Sequence, residues 1–334
     1  MKKIISSALI CILFLMQFTL ISSASYSEEK IFSEQKDLSF SKTVYSNLSD
    51  RQIAKNKLEQ LDMPENLWKG LPDDSLQIIA EADRIISSTS YYTEDIENEK
   101  IVPMVKSDYK KSVQWHKNMN SLLFSGSSSD NMVSTKASDT SPASPGVIKN
   151  INGGKLILVI LLIDRGEGSY LTLGISHWEV MPKLRLLDAI GLSRGEGTAA
   201  KEHSAYGYHS YTYTTNPSST APVEVTEDEE FTFEDMELSS NGYAYEVRLK
   251  SDSEISDPYG PFCKIQLYAT CSLRYEGDVN NPNITKINHW LTYAHKVFTI
   301  GLNGIDFSIP FNTSFSVNLT TKYEQVYEEH LWER

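Results

Sequence analysis

The sequence predicts a mainly β protein, an antiparallel β-sandwich preceded by a small helical module. Three runs near the C-terminus alternate apolar and polar side chains, which is the pattern of half-buried strands. These runs are 243–249, 305–309 and 315–319. Turn-forming pairs such as Asn303-Gly304 separate the runs, and such pairs are typical of hairpins. Nine or ten short strands without convincing helices between them indicate a sandwich.

The stretch from residue 155 to residue 215 is predicted to be a meander of strands. It opens with KLILVILLI at 155–163, which is apolar at both alternating positions. That pattern predicts a central strand covered on both faces. The tetrapeptide Arg-Gly-Glu-Gly follows at 165–168 and returns at 194–197. Because glycine readily adopts positive φ, we interpret both copies as solvent-facing turns.

The N-terminus carries the pattern of a secretory signal peptide. Lys2 and Lys3 precede a long apolar stretch, which ends in Ser-Ser-Ala with Ala24 last. A membrane anchor is the alternative, because the apolar stretch approaches spanning length. The small residues at its end, with no basic residue directly after them, favour cleavage after Ala24. We therefore expect a secreted, extracellular protein with no stable membrane anchor once residues 1–24 are removed.

The rest of the chain divides into four predicted segments. In order they are a flexible lead (25–47), the helical module (48–124), a Ser/Thr/Pro linker (125–147) and the β-sandwich domain (148–334). Within the module, Ser49 and Gln52 make a capping-box pattern. An apolar stripe at 78–86 predicts a further helix. The linker has too few apolar residues to form a core.

Charge limits the classes of partner. The formal net charge is −13, and the hydrophobic content of 40% is ordinary for a globular protein. An acidic chain repels the phosphate backbone, so we expect no nucleic-acid partner. An extracellular glycan or protein is the expected partner.

An acidic run at 224–237 is the weak candidate for a metal site. Its candidate ligands are Glu227, Asp228, Glu229 and Glu230. Carboxylate clusters suit Ca²⁺, which takes six to eight oxygen ligands. The spacing matches no EF-hand, however, and Phe231 and Phe233 indicate that part of the run is a strand. An acidic sheet edge that discourages pairing with other chains is the favoured interpretation, and no other cofactor is predicted.

Catalytic signatures are absent from the sequence, which contains no nucleophile elbow, zinc-protease motif, Walker loop or dinucleotide fingerprint. A glycosidase would need two converging carboxylates, and Glu167, Asp188 and Glu196 lie in or near the meander. The spacing of the seven histidines favours structural or surface roles over a metal site. We therefore favour a non-enzymatic protein, with a glycan-active hydrolase as an alternative.

Aromatic residues form the strongest candidate for a binding site. The candidates are Tyr206, Tyr208, Tyr211 and Tyr213, together with Trp178. Tyrosines on a sheet can stack on sugar rings and hydrogen-bond them through the hydroxyl group. The parity changes between Tyr208 and Tyr211, so the four tyrosines cannot share one face without a bulge. Ordinary strand composition is the alternative, since tyrosine favours sheets.

The segment 203–226 leaves a further function open. Its alternating, Ser/Thr-rich composition is also found in hairpins that insert into membranes to form β-barrel pores. The lipid-facing side would then carry mostly Tyr, Ala and Val. A pore-forming or membrane-acting, toxin-like protein is therefore a second alternative.

Cys263 and Cys271 lie on one predicted strand. Eight residues of extended chain separate their sulfurs by about 26 Å. A disulfide requires Cα atoms within about 7 Å of each other. The pattern therefore predicts two buried thiols and no bridge between them.

Four segments resemble uncharacterised secreted proteins of Gram-positive bacteria. They are LWKGLPDDSLQIIAEAD, HWEVMPKLRLLDAIGLS, NGYAYEVRL and NHWLTYAHKVF. The resemblance spans most of the mature chain and implies an extracellular location, but it assigns no activity or catalytic residue. The sequence as a whole favours a secreted, non-enzymatic module that binds an extracellular or cell-envelope partner.

Overall fold

A computed structural model describes most of the chain from residue 33 onward. The described residues are 33–40, 48–98, 100–124, 151–183, 185, 187–195, 198–215, 223–239, 241–250, 264–279, 286–296, 306–308, 316–318 and 323–333. The predicted signal peptide and the predicted linker lie outside them. The described part confirms the mainly β class and its antiparallel sheets.

Among the described residues before position 125, the chain forms four helices. They are α1 (Asp50–Gln60), α2 (Glu65–Lys69), α3 (Asp73–Glu81) and α4 (Lys106–Phe124). A short 3-10 helix spans Phe233–Asp235. None of the helices in the described ranges combines the length and the apolar character needed to cross a membrane.

The strands run through the whole described chain. The first eight are β1 (Ser33–Ser39), β2 (Arg84–Asp95), β3 (Lys100–Pro103), β4 (Lys155–Gly166), β5 (Ser169–Val180), β6 (Leu187–Arg194), β7 (Thr198–Ala200) and β8 (Tyr206–Thr215). The others are β9 (Val223–Phe231), β10 (Glu237–Ser239), β11 (Gly242–Arg248), β12 (Lys264–Val279), β13 (Lys286–Lys296), β14 (Asp306–Ser308), β15 (Ser316–Asn318) and β16 (Tyr323–Glu333).

In the described part of the chain, nine strands form the larger sheet. Its order is β1-β2-β4-β5-β12-β8-β9, with β3 paired to β2 and β7 paired to β12. Strand β12 lies between β5 and β8, so that Cys271 is opposite Ser176 on one side and His209 on the other. Strand β12, from late in the chain, therefore joins the earlier hairpins β4–β5 and β8–β9.

The smaller sheet has five strands among the residues that the structure describes, in the order β10-β11-β6-β13-β16. Its centre is β6, where Leu192 is opposite Tyr243 of β11 and Leu291 of β13. Strands β14 and β15 pair only with each other among the described residues. The smaller sheet thus presents a row of large apolar side chains from its three central strands.

Strand β4 is buried on both faces, as its sequence predicts. Ile160 belongs to a core cluster that also contains Leu192 and Leu291 of the smaller sheet. Its neighbour Val159 belongs to a second cluster, which contains Leu58 of α1. Because successive side chains of a strand point to opposite faces, one face of the larger sheet packs on the smaller sheet and the other packs on the helices.

The contact between the two sheets is close at Gly174 of β5. A side chain at this position would overlap the side chain of Leu291 from the smaller sheet. Glycine therefore allows the two layers to approach each other at this point. Large side chains surround it in the shared cluster, including Trp178 and Tyr293.

The helices on the other face are fixed by local caps. The predicted capping box is present: the Ser49 amide donates to Gln52 Oε1 at 3.1 Å, and the Gln52 amide donates to Ser49 Oγ at 3.4 Å. Lys57 of α1 is buried, and its Nζ donates to the carbonyl oxygens of Ile79 at 3.2 Å and Ala80 at 2.7 Å. A cation at the C-terminal end of α3 satisfies carbonyls that the helix leaves unpaired.

The predicted helix at 78–86 ends earlier than expected. Helix α3 stops at Glu81, and Ile85 and Ile86 begin β2 opposite Ile163 and Leu162 of β4. Long-range pairing with the most apolar strand outweighs the local helical spacing of these isoleucines. The segment 48–124 thus contains β2 and β3 as well as helices, and the division into domains stays a prediction.

The predicted flexible lead at 25–47 also contains regular structure. Residues Ser33–Ser39 form β1, which pairs along its length with β2. Leu38 lies opposite Ile85, and Arg84 donates two hydrogen bonds to the Asp37 carboxylate. This segment forms an edge strand despite its polar composition, and its pairing partner β2 lies later in the chain.

The first Arg-Gly-Glu-Gly copy forms the predicted turn. Gly166, Glu167 and Gly168 all have positive φ, at 81°, 54° and 86°, between β4 and β5. In the second copy, β6 ends at Arg194, and the amide of Gly195 donates to the carbonyl of Asn288 at 2.8 Å. The remainder of that copy lies outside the described residues.

Cys271 is a buried free thiol in the continuous strand β12. This confirms the prediction for Cys271. Cys263 lies outside the described residues.

Candidate functional site

The predicted tyrosines lie on the hairpin formed by β8 and β9, at one edge of the larger sheet. Tyr208 is opposite Glu230, and Tyr211 is opposite Glu227. The pairing of β8 with β9 is regular throughout, so side chains along each strand alternate between the two faces.

The expected change of parity divides the four tyrosines. Tyr211 and Tyr213 belong to the core cluster between the two sheets. Tyr206 and Tyr208 occupy the opposite face, where Ser210 of the same parity donates to the Gly70 carbonyl beside the helices at 2.9 Å. The sequence-predicted site is therefore two different clusters, one on each side of the hairpin.

The inner pair is engaged in a compact polar cluster. The hydroxyl groups of Tyr211 and Tyr213 both donate to the Glu227 carboxylate, at 2.6 Å from Tyr213. Lys250, which follows β11 of the smaller sheet, donates to Glu227 at 3.1 Å and also contacts the Tyr211 hydroxyl. These donors lower the pKa of Glu227 to about 2, with Tyr211 contributing most. The cluster joins the two sheets and leaves the tyrosine rings only 7% and 4% exposed.

The side chains of the outer pair are partly exposed. Tyr206 lies under the guanidinium of Arg274 from β12, with 4.7 Å between the guanidinium carbon and the ring centroid. Arg274 in turn donates to the Asp74 carboxylate and, at 3.3 Å, to Ser75 Oγ. Since Asp74 and Ser75 lie in α3, the helices hold the arginine in place over the tyrosine.

Carboxylates of β9 surround the outer tyrosines. Burial raises the pKa of Tyr208 to about 12, and the neighbouring carboxylates of Asp228 and Glu230 contribute to the rise. The pKa of Tyr206 is also raised, first by burial and then by Glu230. Both phenols therefore stay protonated and can donate hydrogen bonds at any physiological pH.

We call this group the outer aromatic face and define it as Tyr206, Tyr208, Asp228, Glu230 and Arg274. It combines ring surfaces, hydroxyl donors, carboxylate acceptors and one guanidinium donor. Such a set can stack on an apolar ring face of a ligand and hydrogen-bond to hydroxyl groups at the ring edge.

Trp178 does not belong to a surface site. Its side chain is 1% exposed, and its indole Nε1 donates to the hydroxyl of Tyr293 at 2.8 Å. Trp178 occupies β5 on the face that packs against the smaller sheet. Its ring supports the core and is not available for stacking on a ligand.

The four weak metal candidates alternate along β9. Glu227 and Glu229 point to the face of the smaller sheet, whereas Asp228 and Glu230 point to the face of the outer tyrosines. In the described part of the chain, no three carboxylate, histidine or cysteine side chains are grouped closely enough to hold a metal ion. Phe231 indicated that part of the acidic run is a strand, and this prediction is confirmed because the first part of the run lies in β9.

The carboxylates suggested for a glycosidase do not come together in the described structure. Asp188 is fully buried in the core, where it accepts hydrogen bonds from Tyr293 and His295. Glu167 lies in the turn between β4 and β5, and Glu196 is outside the described residues.

Sequence reasoning missed Arg274 and Asp74 as members or supports of the site. Arg274 follows the alternation of β12 and has the parity of Thr270, which faces the helices. The outward parity of Arg274 was readable from the sequence. The proximity of β12 to β8 was not, since the two strands are distant in sequence.

The fold and this face define a mainly β protein with an aromatic and acidic surface on one sheet edge. Comparison of the chain with protein-family models and with curated proteins gives no match.

Proposed function

We propose that this chain is a secreted, non-enzymatic protein that binds an extracellular glycan through the outer aromatic face. In this proposal residues 1–24 are removed as a signal peptide. The two sheets then act as a β-sandwich scaffold, and the helical segments cover its larger sheet.

The observation that carries the proposal is the position of Tyr208. Its side chain is partly exposed, and its hydroxyl group lies beside Asp228 and Glu230 on the neighbouring strand. A sugar stacked on the ring would place its hydroxyl groups within reach of those carboxylates. Arg274, held by Asp74, would supply a donor on the other side.

The distribution of acidic residues favours binding over membrane insertion. Glu227 lies on one face of the hairpin and Asp228 on the other. A membrane-inserted hairpin would therefore place carboxylates on its lipid-facing side, where charged side chains are destabilising. A glycan-binding role does not require these carboxylates to face lipid.

A glycan-binding measurement with the mature protein tests the proposal. The protein is presented to a panel of cell-wall and host glycans, and the best ligand is titrated by calorimetry. Tyr208→Ala should weaken binding by about tenfold, because an aromatic contact contributes about 0.5–1.5 kcal/mol beyond its buried area. Product analysis of the incubated glycan should reveal no cleavage.

Tyr211→Phe is the matched control. It removes one hydroxyl group from the inner cluster of the same strand and leaves the outer aromatic face unchanged. Its affinity for the glycan should equal that of the wild type. Equal affinity in Tyr208→Ala, or no retention on any glycan, would overturn the proposal.

A further inference from the structure

His177 lies buried where the helices rest on the larger sheet. It is 0% exposed, and its Nδ1 lies 2.8 Å from Thr270 Oγ1 of β12. Helices α2 and α4 both contact β5, the strand that carries His177. The turn after α2 is seated on the same threonine, because a side chain at Gly70 would overlap it. We refer to α1, α2, α3 and α4 together as the helical layer.

The second ring nitrogen of His177 has no hydrogen-bond partner among the described residues, and it is buried. In the neutral imidazole this nitrogen needs no acceptor. Protonation would give the ring two N–H donors, one of which would point into a site without an acceptor. A buried, unsatisfied charged group is strongly destabilising unless water reaches it.

The groups around His177 do not compensate a positive charge. Helix α4 brings Lys117, and β12 brings Tyr268, whose ring centroid is 5.8 Å from that of the imidazole. The carboxylate of Glu179, two residues along β5, already accepts from Lys117 at 2.9 Å and from Tyr109 at 3.4 Å. Lys117 therefore repels an imidazolium, and its carboxylate partner is occupied.

The charged and aromatic contacts of helix α2 are made to α1 and to the edge of the larger sheet. Its Lys69 pairs with Glu224 of β9 at 3.9 Å. Its Trp68 ring lies near the cations Arg51 and Lys55 of α1. The charged contacts of α2 thus point away from His177 and toward the edge of the sheet and α1.

Burial, with a smaller contribution from Lys117, lowers the pKa of His177 from 6.5 to about 3. A group with a depressed histidine pKa binds fewer protons in the closed state than in the open state. The stability of the closed state is therefore complete above pH 6.5 and falls as the pH drops toward 3.

We propose that the helical layer is an acid-sensitive cover of the larger sheet, and that protonation of His177 releases it. Release exposes the apolar face of β4 that packs on the helices, including Val159 and Leu161. Because Asp74 of α3 holds Arg274, release also removes the support of the outer aromatic face. The inference does not depend on the identity of the ligand.

Hydrogen exchange of the mature protein at pH 6.5 and pH 4.5 tests this inference. After correction for intrinsic exchange rates, protection of amides at 50–81 should fall about 50-fold between the two values, as linkage predicts for a shift from 6.5 to about 3. Amides of β6 should remain more strongly protected than those of 50–81 at both pH values. In His177→Gln the protection of 50–81 should change less than about threefold.

The pH range of this test distinguishes protonation of His177 from protonation of Asp62, a carboxylate that follows α1. Its burial opposes ionisation, but Lys106 and Lys110 hold its pKa below 3.8. At pH 4.5 this carboxylate is still ionised, so its contacts with α4 are retained.

His209→Gln is the matched control, because His209 is also buried with a pKa lowered to about 4 by burial and Lys250, but it faces the smaller sheet. This variant should keep the wild-type pH dependence at 50–81. Equal pH dependence in His177→Gln, or equal protection of β6 and 50–81 at pH 4.5, would overturn the inference.

An NMR titration of the wild type keeps the inference testable if His177→Gln does not fold. The His177 ring resonances should titrate with an apparent pKa below 4.5 in the closed protein. An apparent pKa above 6 would contradict the inference, because the helical layer would then gain no sensitivity to acid.

Discussion

Asp188 and His295 face each other on neighbouring strands of the smaller sheet, with 3.0 Å between the carboxylate and Nδ1, and both side chains are 0% exposed. Burial lowers the pKa of His295, but the Asp188 carboxylate more than offsets this and raises it. Tyr293 donates to the same carboxylate and accepts from Trp178. These hydrogen bonds run from Trp178 of the larger sheet to His295 of the smaller sheet, so they connect the two sheets across their interface.

Asp188→Asn should strongly destabilise the fold. The substitution removes the charge that supports the His295 imidazolium, and breaking a buried pair costs about 3 kcal/mol or more. Denaturant unfolding measures the loss. Asp37→Asn, which breaks an exposed pair with Arg84, should cost less than about 1 kcal/mol. Similar losses in both variants would contradict this assignment.

The Asp188–His295 pair also predicts a pH dependence. A raised histidine pKa contributes stability that is complete below 6.5 and is lost as the pH rises through the folded-state value. The difference in stability between wild type and Asp188→Asn should therefore shrink on the alkaline side of that value. Melting temperatures measured from pH 6 to pH 9 check this expectation. A constant difference would indicate that the pair is not ionic.

Gly70→Ala should loosen the helices. The new methyl group would overlap the Thr270 side chain and approach Ser210 Oγ, so the turn after α2 must move away from the sheet. Overpacking of this kind costs about 1–3 kcal/mol. Gly195→Ala is the control, because its nearest heavy atom would be 3.5 Å away and its φ is not positive. That variant should unfold within about 0.5 kcal/mol of the wild type.

Glu227→Gln should reduce the acid sensitivity of the contact between the sheets. Tyr211 and then Tyr213 lower the pKa of Glu227 from 4.5 to about 2. The ionised carboxylate therefore contributes stability above pH 4.5, and the contribution disappears as the pH falls to about 2. Since the side chain is 44% exposed, solvent screening limits the effect to less than about 1 kcal/mol.

Melting temperatures between pH 2 and pH 6 check the Glu227 prediction. The curve of Glu227→Gln should lie below that of the wild type at pH 6 and approach it at pH 2. A separation that grows toward pH 2 would reverse the sign and exclude the assigned role.

Cys271 should be unreactive in the folded protein. Burial raises the pKa of its thiol well above the usual range, so the nucleophilic thiolate is scarce. In Cys263→Ser protein that lacks residues 1–24, and with them Cys11, a thiol reagent at pH 8 should label Cys271 only after denaturant is added. Rapid labelling of the native protein would show that β12 opens readily.

The sequence predicted those features that depend on alternation within one segment. The doubly apolar run at 155–163 specified a strand buried on both faces, and the parity change between Tyr208 and Tyr211 indicated that the four tyrosines cannot share one face without a bulge. The Ser49 capping box and the Gly166 turn were equally local. In each case the pattern that carries the prediction lies within a few residues, although the side chains that bury β4 come from the helices and the smaller sheet.

Long-range pairing accounts for the features that the sequence did not predict. Ile85 and Ile86 have helical spacing with the preceding residues, but they pair with β4 and therefore lie in a strand. Arg274 reaches Tyr206 only because β12 pairs with β8. Trp178 looked like a surface aromatic residue, since its partner Tyr293 comes from a different sheet. None of these contacts leaves a periodic signal within its own segment.

The insertion of β12 between β5 and β8 has a consequence for how the chain folds. The hairpins β4–β5 and β8–β9 need only short loops to close and can form early. Strand β12 must close much longer loops before it pairs with either of them, which slows folding. Until it arrives, β5 and β8 each present an unpaired edge to other chains in the same state. Refolding yield should therefore fall as protein concentration rises, even though the finished sheet covers both edges.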